Sequence, residues 1–451
     1  MSAAIRPDDT VPLSLPLLDG GPLSRAISFG GAEGRIDAAR FLDDVRAAAR
    51  ALPEARHAVN LCEDRYRFLV AFCAVALRGQ TNLLPHSRAP DVVREALDRH
   101  PQSYCIAEEA PERLPPRFHR LQGGPVALDG DAGLPGLAPG QVVAIGFTSG
   151  SSGVPKANPK TWAGFCASNA MNAALVREQA GEHACIVATV PPQHMYGMET
   201  SVLLPLLGGF SVHAGRPFFP AEIADALRCA EAPRVLVSTP VHLRALLESG
   251  VDLPPLALVL SATAPLSPEL AAAIEARHAT RVIEMFGSTE TCVVGWRRTA
   301  LDEAYTRYAG VELRPGPDGT DVDAPWFAQA VRLQDAIEVD GERFLLRGRS
   351  SDLLEIAGKR ASLGDLTRRL QAVPGVRDAV VFQSDETDAA GVRRLCALVV
   401  SDISEAEVLA ALRESVDAVF LPRPLRRVAR LPRNDTGKLP RAALLEALAA
   451  G

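Results

Sequence analysis

The residues best suited to chemistry form one run: Phe147, Thr148, Ser149, Gly150, Ser151, Ser152, Gly153, Val154, Pro155 and Lys156. Gly allows positive φ and close backbone approach, so such a loop can fold around a ligand. Successive backbone N–H groups make an anion nest, hydroxyls add donors, and Lys156 adds positive charge. The chemistry is that of a phosphate cradle; the plainer reading is a Ser/Gly surface loop. It is not a Walker loop, because Val154 and Pro155 separate the last Gly from the Lys. Pro155 and Pro159 argue against a helix starting at once.

The surrounding chain supplies elements to hold such a loop. Residues 142–145 are a short apolar β-type run leading into it, and residues 162–179 read as a helix after it. Upstream, residues 37–52, 64–77 and 89–99 read as helices, alternating with strands at 57–61, 81–85 and 103–107. That alternation implies parallel βαβ units. Residues 110–140 are rich in Pro and Gly and read as a connection. Downstream, strands are expected at 186–190, 235–240, 256–260 and 281–285, with helices at 198–207 and 221–229. Strand 235–240 is expected to lead into a loop.

At 451 residues the chain needs two or three domains. A hydrophobic content of 47% fits a globular protein, and a net charge of −6 offers no basic footprint for nucleic acid. No apolar run reaches the ~18 residues needed to span a bilayer. The first nine residues lack a signal-peptide core. The eight Cys lack a Cys-x-x-Cys pair and read as buried thiols of a cytoplasmic enzyme.

The run from Phe147 to Lys156 resembles the signature loop of the adenylate-forming superfamily: acyl-CoA synthetases, peptide-synthetase adenylation domains and luciferases. The family form is Phe/Tyr-Thr-Ser-Gly-Ser/Thr-Thr-Gly-x-Pro-Lys, and only Ser152 differs here. Further motifs follow in the family's order, covering about residues 140–441. A Pro-x-x-His-x-x-Gly element contains His194, which the resemblance places at the border of the acyl site. Ser261, Ala262, Thr263, Ala264 and Pro265 resemble the segment beside adenine, with Ala262 where Gly is usual. Phe286, Gly287, Ser288, Thr289 and Glu290 resemble Tyr-Gly-x-Thr-Glu. There the ring stacks on adenine, Thr lies near the phosphates and Glu binds Mg²⁺; a hard cation bridging phosphates wants a carboxylate.

Asp335 stands for the Asp that holds the ribose hydroxyls, and Arg349 for the Arg on ribose. Asp352 also matches, and Ser351 holds the hinge position. The loop of Gly358 and Lys359 resembles the one that swings over the site for thioester formation. The chain from Pro432 to Arg441 matches the family's last motif, and its Lys438 corresponds to the catalytic Lys. After 349 the pattern is a small α+β unit, with helices at 364–371 and 405–416 and strands at 376–382 and 394–400.

The resemblance implies an α/β fold: a large domain over 1–348 of βαβ layers with flanking sheets, then a small mobile α+β domain over 349–451. It implies ATP and Mg²⁺. Carboxylate attack on the α-phosphate would give an acyl-adenylate, and a thiol of coenzyme A or an acyl carrier protein would then displace AMP. Lys438, Glu290, Thr289 and His194 are the expected catalytic residues. The nucleotide set is Thr148 to Gly153, Lys156, Ala262 to Ala264, Phe286 to Ser288, Asp335 and Arg349. Pocket candidates are His194, Met195, Met198, Ser238, Thr239 and Gly287, with Tyr196 a further polar group. The trimmed N-terminal region, and Trp162 where His is usual, resemble compact ligases that load aryl acids such as hydroxybenzoates. Alternatives are a short- or medium-chain aliphatic acyl-CoA synthetase, a phosphotransferase, or a non-catalytic nucleotide-binding homologue. Assembly as a homodimer is left open.

Overall fold

The computed structural model describes residues 13–110, 115, 117–121, 133–148, 156–317, 319–349, 353–356, 359–387, 393–434 and 437–450. The chain divides into two compact units, Met1–Asp302 with Pro325–Ala328, and Glu303–Ala324 with Gln329–Gly451. The expected boundary at 348/349 falls inside a strand of the second unit, Arg343–Arg349.

Unit 1 begins its regular structure with strand β1 (Ala26–Phe29) and helix α1 (Ala38–Ala51). Asp37 caps α1 by accepting from Arg40 N–H. Strand β2 (His57–Asn60), helix α2 (Arg65–Leu77), strand β3 (Thr81–Leu84) and strand β4 (Ser103–Ala107) follow. Helix α2 is apolar around its whole circumference, which suits a helix covered on all sides. Phe68, Leu69 and Phe72 in it are fully buried, each worth roughly 1.5–3 kcal/mol of apolar burial. Strands β5 (Val142–Thr148) and β6 (Lys156–Thr161) then form an antiparallel pair, so Lys156 opens a strand as the two Pro suggested. In this sheet β2 pairs parallel with β3 and β4, and β3 pairs parallel with β5. The stretch read as a connection contributes an edge strand, Phe118–Arg120.

Helix α3 (Trp162–Ala180) leads to strand β7 (Cys185–Ala188), then to a helical run of unusual build. Met195–Met198 and Leu204–Leu207 are α-helical, and Glu199–Leu203 between them is a π turn. The expected helix over 198–207 thus starts earlier and carries an extra residue per turn at its centre. Strand β8 (Ser211–His213) and strand β9 (Arg234–Ser238) follow. The loop expected after β9 is instead helix α4 (Pro240–Ser249). Pro240 stands in its first turn, where a missing N–H costs no hydrogen bond. Strands β10 (Leu258–Ser261), β11 (Val282–Ser288) and β12 (Cys292–Arg297) complete the unit. Within unit 1 the second sheet runs β12-β11-β10-β9-β7-β8-β1 and ends on the two-residue edge strand Ile36–Asp37; it is parallel except at its ends, β12 against β11 and Ile36–Asp37 against β1. Val187, Leu236 and Val259 on it pack with Leu243 and Ile274 in a dry core.

Unit 2 is antiparallel at its start: Asp335–Asp340 and Tyr305–Arg307 each pair with Arg343–Arg349. The segment around Asp335 forms two strands, Val331–Leu333 and Asp335–Asp340. Further on, Val376–Thr387 pairs with Arg393–Ser401, and helices Leu363–Gln371 and Glu405–Leu412 share their core. The second helix ends at Leu412, short of the expected 416. Ser404 and Glu407 close a capping box at its start.

None of the eight Cys is in a disulfide. No helix among the described residues is long and apolar enough to cross a membrane.

Candidate active site

Three of the singled-out motifs meet at one glycine. A Cβ added to Gly146, on β5 just before the Ser/Gly loop, would lie 2.7 Å from Thr289 Cγ2 and 3.2 Å from Met195 Cε. The strand feeding the loop, the Thr-Glu turn and the start of the 195–207 helical run are therefore in contact. Only a residue without a side chain permits that approach. Thr148 and Lys156 are direct register partners across β5 and β6, which fixes the two ends of the loop. Lys156 is exposed. Ser149, Gly150, Ser151, Ser152 and Gly153 lie outside the described residues.

Strand β11 contains Phe286, Gly287 and Ser288, and the chain turns at Thr289 and Glu290 into β12. Phe286, Thr289 and Glu290 are half-buried. Gly287 has no room for a side chain, since a Cβ would sit 2.3 Å from Cys292 O. The turn is held from several directions. Ser288 N–H donates to Thr291 Oγ1 at 3.2 Å, and Thr291 N–H to Ser288 Oγ at 3.1 Å. Lys160 Nζ, on a side chain 9% exposed, donates to Glu290 O at 2.6 Å. Trp326 Nε1 donates to Thr291 O at 3.3 Å. Val293 N–H donates to both carboxylate oxygens of Glu199 at 3.1 Å.

Sequence reasoning missed Lys160 and Glu199. Glu199 is 1% exposed and opens the π turn. Its Oε1 also accepts from Ser168 Oγ at 2.9 Å and Asn172 Nδ2 at 3.1 Å. Burial raises the Glu199 pKa, while its hydrogen bonds and the charge of Lys160 pull it back. A buried carboxylate is costly unless it is surrounded by donors in this way. The available signal was a single acid inside an apolar helical run. For Lys160 it was a Lys on the inward side of an alternating strand. π turns recur at functional sites.

At the end of β10, Ala262 is buried and Thr263 takes φ +79°. A β-branched residue in the left-handed region costs about 1–3 kcal/mol, and such strain concentrates at functional sites. Ala264 is half-buried. Glu284 on β11, 3% exposed, anchors this loop by accepting from Leu266 N–H at 3.0 Å. It also accepts from Arg297 Nε at 2.8 Å and Thr299 Oγ1 at 2.7 Å. His194 is half-buried at the N-cap of its helix, while Met195 and Met198 are buried. Ser238 and Thr239 are 1% exposed at the end of β9. Trp162 is fully buried, its Nε1 donating to Pro16 O at 3.2 Å.

In unit 2, Asp335 and Arg349 are register partners across their antiparallel strands. The two residues expected on ribose are thus adjacent in one ladder. Lys438 is exposed on a turn where Gly437 has φ +78°. Asn434 Oδ1 accepts from Lys438 N–H at 2.9 Å, and Asn434 N–H donates to Lys438 O at 2.8 Å. Arg433 donates to Gly437 O at 2.9 Å and to both oxygens of Asp378 at 3.0 Å. Lys359 opens strand Lys359–Ser362. Ser351, Asp352 and Gly358 lie outside the described residues.

Solved structures share this architecture. ATP-bound MatB from Rhodopseudomonas palustris aligns with a TM-score of 0.78 at 20% identity, covering 95% of this chain and 96% of that one. O-Succinylbenzoate CoA synthetase (MenE) from Bacillus subtilis, with its acyl-adenylate intermediate OSB-AMP, aligns with a TM-score of 0.78 at 16% identity, covering 93% and 95%. At such identities the likeness speaks to fold. In sequence, a 4-coumarate–CoA ligase of Rhodobacter capsulatus is 33% identical over 158 residues, 34% of this chain. That match spans 39% of the relative's length. A 4-coumarate–CoA ligase of Halorhodospira halophila is 28% identical over 322 residues, 65% of this chain and 73% of that one. The family model described as AMP-binding enzyme matches residues 47–323, and the chain belongs to that family.

Proposed function

We propose that this protein is an AMP-forming acid–thiol ligase that activates a small carboxylic acid with ATP and passes the acyl group to a thiol. Membership of the AMP-binding family supports nucleotide use, and relatives named as 4-coumarate–CoA ligases support the acid–thiol class. The observation that carries the reading is the close approach of Gly146, Thr289 and Met195, which joins the strand leading to the Ser/Gly loop, the Thr-Glu turn and the start of the 195–207 helical run.

A carboxylate is a poor acyl donor because oxide leaves badly. In the first step its oxygen bonds to the α-phosphorus and pyrophosphate departs. In the second a thiolate bonds to the acyl carbon and AMP departs. Bringing two anions together requires positive charge and donors set in place beforehand. Lys438 is assigned that charge, with Lys156 and the Ser/Gly loop on the phosphates. Phe286 would stack on adenine beside Ala262 and Thr263, and Asp335 with Arg349 would hold ribose. Mg²⁺ typically takes one or two carboxylates and completes its shell with phosphate oxygens and water. The half-buried Glu290, on a turn held by Lys160, suits that role. When bound, the ion neutralises charge developing on the phosphates.

An aryl acid such as a hydroxybenzoate is the favoured substrate class, and coenzyme A or a carrier protein the acceptor. Ser351 is assigned the hinge by which the chain from 349 onward exchanges arrangements between the half-reactions. Ser351→Pro, which fixes φ near −65°, is expected to depress one half-reaction far more than the other.

The test is acid- and thiol-dependent release of AMP with mass detection of the product. Aryl and aliphatic acids are run in parallel, with coenzyme A and a carrier protein as separate acceptors. A thioester formed from an aryl acid supports the reading. AMP release that needs no acid, or ADP as the product, overturns it in favour of a hydrolase or phosphotransferase. No turnover, with ATP bound, favours the non-catalytic homologue.

A further inference from the structure

The stretch 423–441 of unit 2 holds six Arg and one Lys against a single Asp, in a chain of net charge −6. Four of these Arg, at 423, 426, 427 and 430, are set apart from the others. All four are exposed. Elsewhere in unit 2, Arg368 and Arg369 pair with Asp365, Arg377 with Asp402, and Arg433 with Asp378. Among the described residues, no carboxylate forms a salt bridge with Arg423, Arg426, Arg427 or Arg430, and none of their side chains has a hydrogen-bond partner.

Local packing turns this row outward. Leu425 is buried in one apolar core of the unit and Leu431 in another, and Val428 packs against the second. The apolar residue at every third position takes the inside, and the arginines between them are left in water. Strand Leu425–Arg427 is an edge of its sheet, paired on one side only, parallel to Arg393–Ser401. Charge on an edge strand keeps it from pairing with other chains. That role leaves Arg423 and Arg430 unexplained, because both stand outside the strand.

The row shares its sheet with the anchor of the Lys438 turn. Val399 is the register partner of Ala379 on one side and of Arg427 on the other. Two strand spacings, about 10 Å, therefore separate the backbones of Arg427 and Ala379. Asp378, beside Ala379, accepts from Arg433, which also donates to Gly437 O. The extent of the row tells what covers it. Fully extended, the chain from Arg423 to Arg430 spans up to about 25 Å, and neighbouring residues on a strand, such as Arg426 and Arg427, lie on opposite faces of it. The phosphates of coenzyme A would meet one part of such a surface. An extended acidic surface would meet the whole of it.

We propose that Arg423, Arg426, Arg427 and Arg430 form the docking surface for a small acidic protein that presents the acceptor thiol on a long flexible arm. Opposite charge steers the encounter and sets the orientation of the partner. The arm then delivers the thiol, so the chemical step itself makes no contact with the row. The inference rests on the ligase reading and chooses the protein acceptor over coenzyme A.

The test follows thioester formation by the full chain with three acceptors: a strongly acidic acyl carrier protein bearing phosphopantetheine, free phosphopantetheine, and coenzyme A. The carrier is expected to lead free phosphopantetheine by at least about tenfold in kcat/KM, and the lead to shrink as salt rises from about 50 to about 500 mM. Arg426→Glu combined with Arg427→Glu is expected to lower kcat/KM for the carrier by about 10²-fold, through KM. Coenzyme A and thiol-free pyrophosphate exchange should stay within about twofold, which also shows that the variant is folded. Arg423→Gln combined with Arg430→Gln leaves the strand untouched and is expected to give the same pattern at about tenfold. Equal losses with the carrier and coenzyme A overturn the proposal. So does a carrier rate that neither pair of changes moves, or a carrier no better than free phosphopantetheine. Calorimetric binding of the carrier needs no turnover. Salt-sensitive binding that the Glu variant abolishes, with no exchange for any acid, would sustain the surface and sink the chemistry. Binding unchanged in that variant, or no binding to the unaltered protein, would sink the surface.

Discussion

Two turns are assigned charged catalytic groups, and they are built differently. The turn of Thr289 and Glu290 in unit 1 is gripped by side chains from distant parts of the chain: Lys160, Glu199 and Trp326. The turn of Lys438 in unit 2 is closed mainly by its own residues, Asn434 and Gly437, with Arg433 tied to the half-buried Asp378. Its Lys is exposed. The contrast teaches where each region places its accuracy. Unit 1 fixes the backbone of the turn that carries Glu290 through the buried side chains of Lys160 and Glu199 and through Trp326. Unit 2 fixes a backbone turn by its own residues and leaves the long Lys438 side chain exposed. Preorganisation of fixed groups suits stabilisation of charge, and a tethered lysine suits a group needed in only one half-reaction.

Breaking the comparison starts with Lys438. Lys438→Ala is expected to lower acid-dependent exchange by about 10²–10³, the scale of one preorganised charge contact. Reaction of supplied acyl-adenylate with thiol should be largely kept, as followed by single-turnover product formation. The melting temperature should stay near that of the unaltered protein, because the side chain is exposed.

Glu199→Leu attacks the other turn. It strips the Val293 N–H, Ser168 and Asn172 of their acceptor and leaves Lys160 without its nearby negative charge. Removing one partner from a buried charged network costs about 3–5 kcal/mol, measurable by denaturant unfolding. The matching change in unit 2, Asp378→Asn, is expected to cost about 1 kcal/mol, as its pair with Arg433 is partly solvated. Similar losses in the two variants would erase the contrast.

Glu290→Gln is expected to raise the Mg²⁺ concentration for half-maximal exchange by about tenfold, the usual scale for one lost charged ligand contact. An unchanged titration removes Glu290 from the metal. The smallest effect belongs to Thr263→Gly. Relief of the strained left-handed Thr should stabilise the protein by about 1 kcal/mol, read as a higher denaturation midpoint. A destabilised variant would show that Thr263 contributes contacts worth more than its strain.

Much of the scaffold was legible because local signals agreed with each other. Asp37 and Asp64 stand immediately before the helices they cap, and strands Thr81–Leu84 and Ser103–Ala107 fall where short apolar runs sit between polar stretches. Pro240 begins a helix where the strand 235–240 is expected to lead into a loop, because a Pro is tolerated in the first turn of a helix. The motif residues were legible by resemblance, yet what holds them was not. Lys160, Glu199 and Glu284 act through contacts between segments far apart in the chain. Nothing in local periodicity tells which inward-facing charge has found partners. The register of Asp335 with Arg349 was equally hidden, since pairing is set by the intervening hairpin.

The ligase reading requires that an acyl-adenylate form before any thiol is needed. Exchange of labelled pyrophosphate into ATP, measured with purified protein, Mg²⁺ and an aryl acid such as 4-coumarate and no thiol present, tests it directly. Exchange is expected to require the acid and to proceed without coenzyme A or carrier protein. Exchange that appears only when a thiol is added, or none with any acid while AMP and thioester still accumulate, would contradict it.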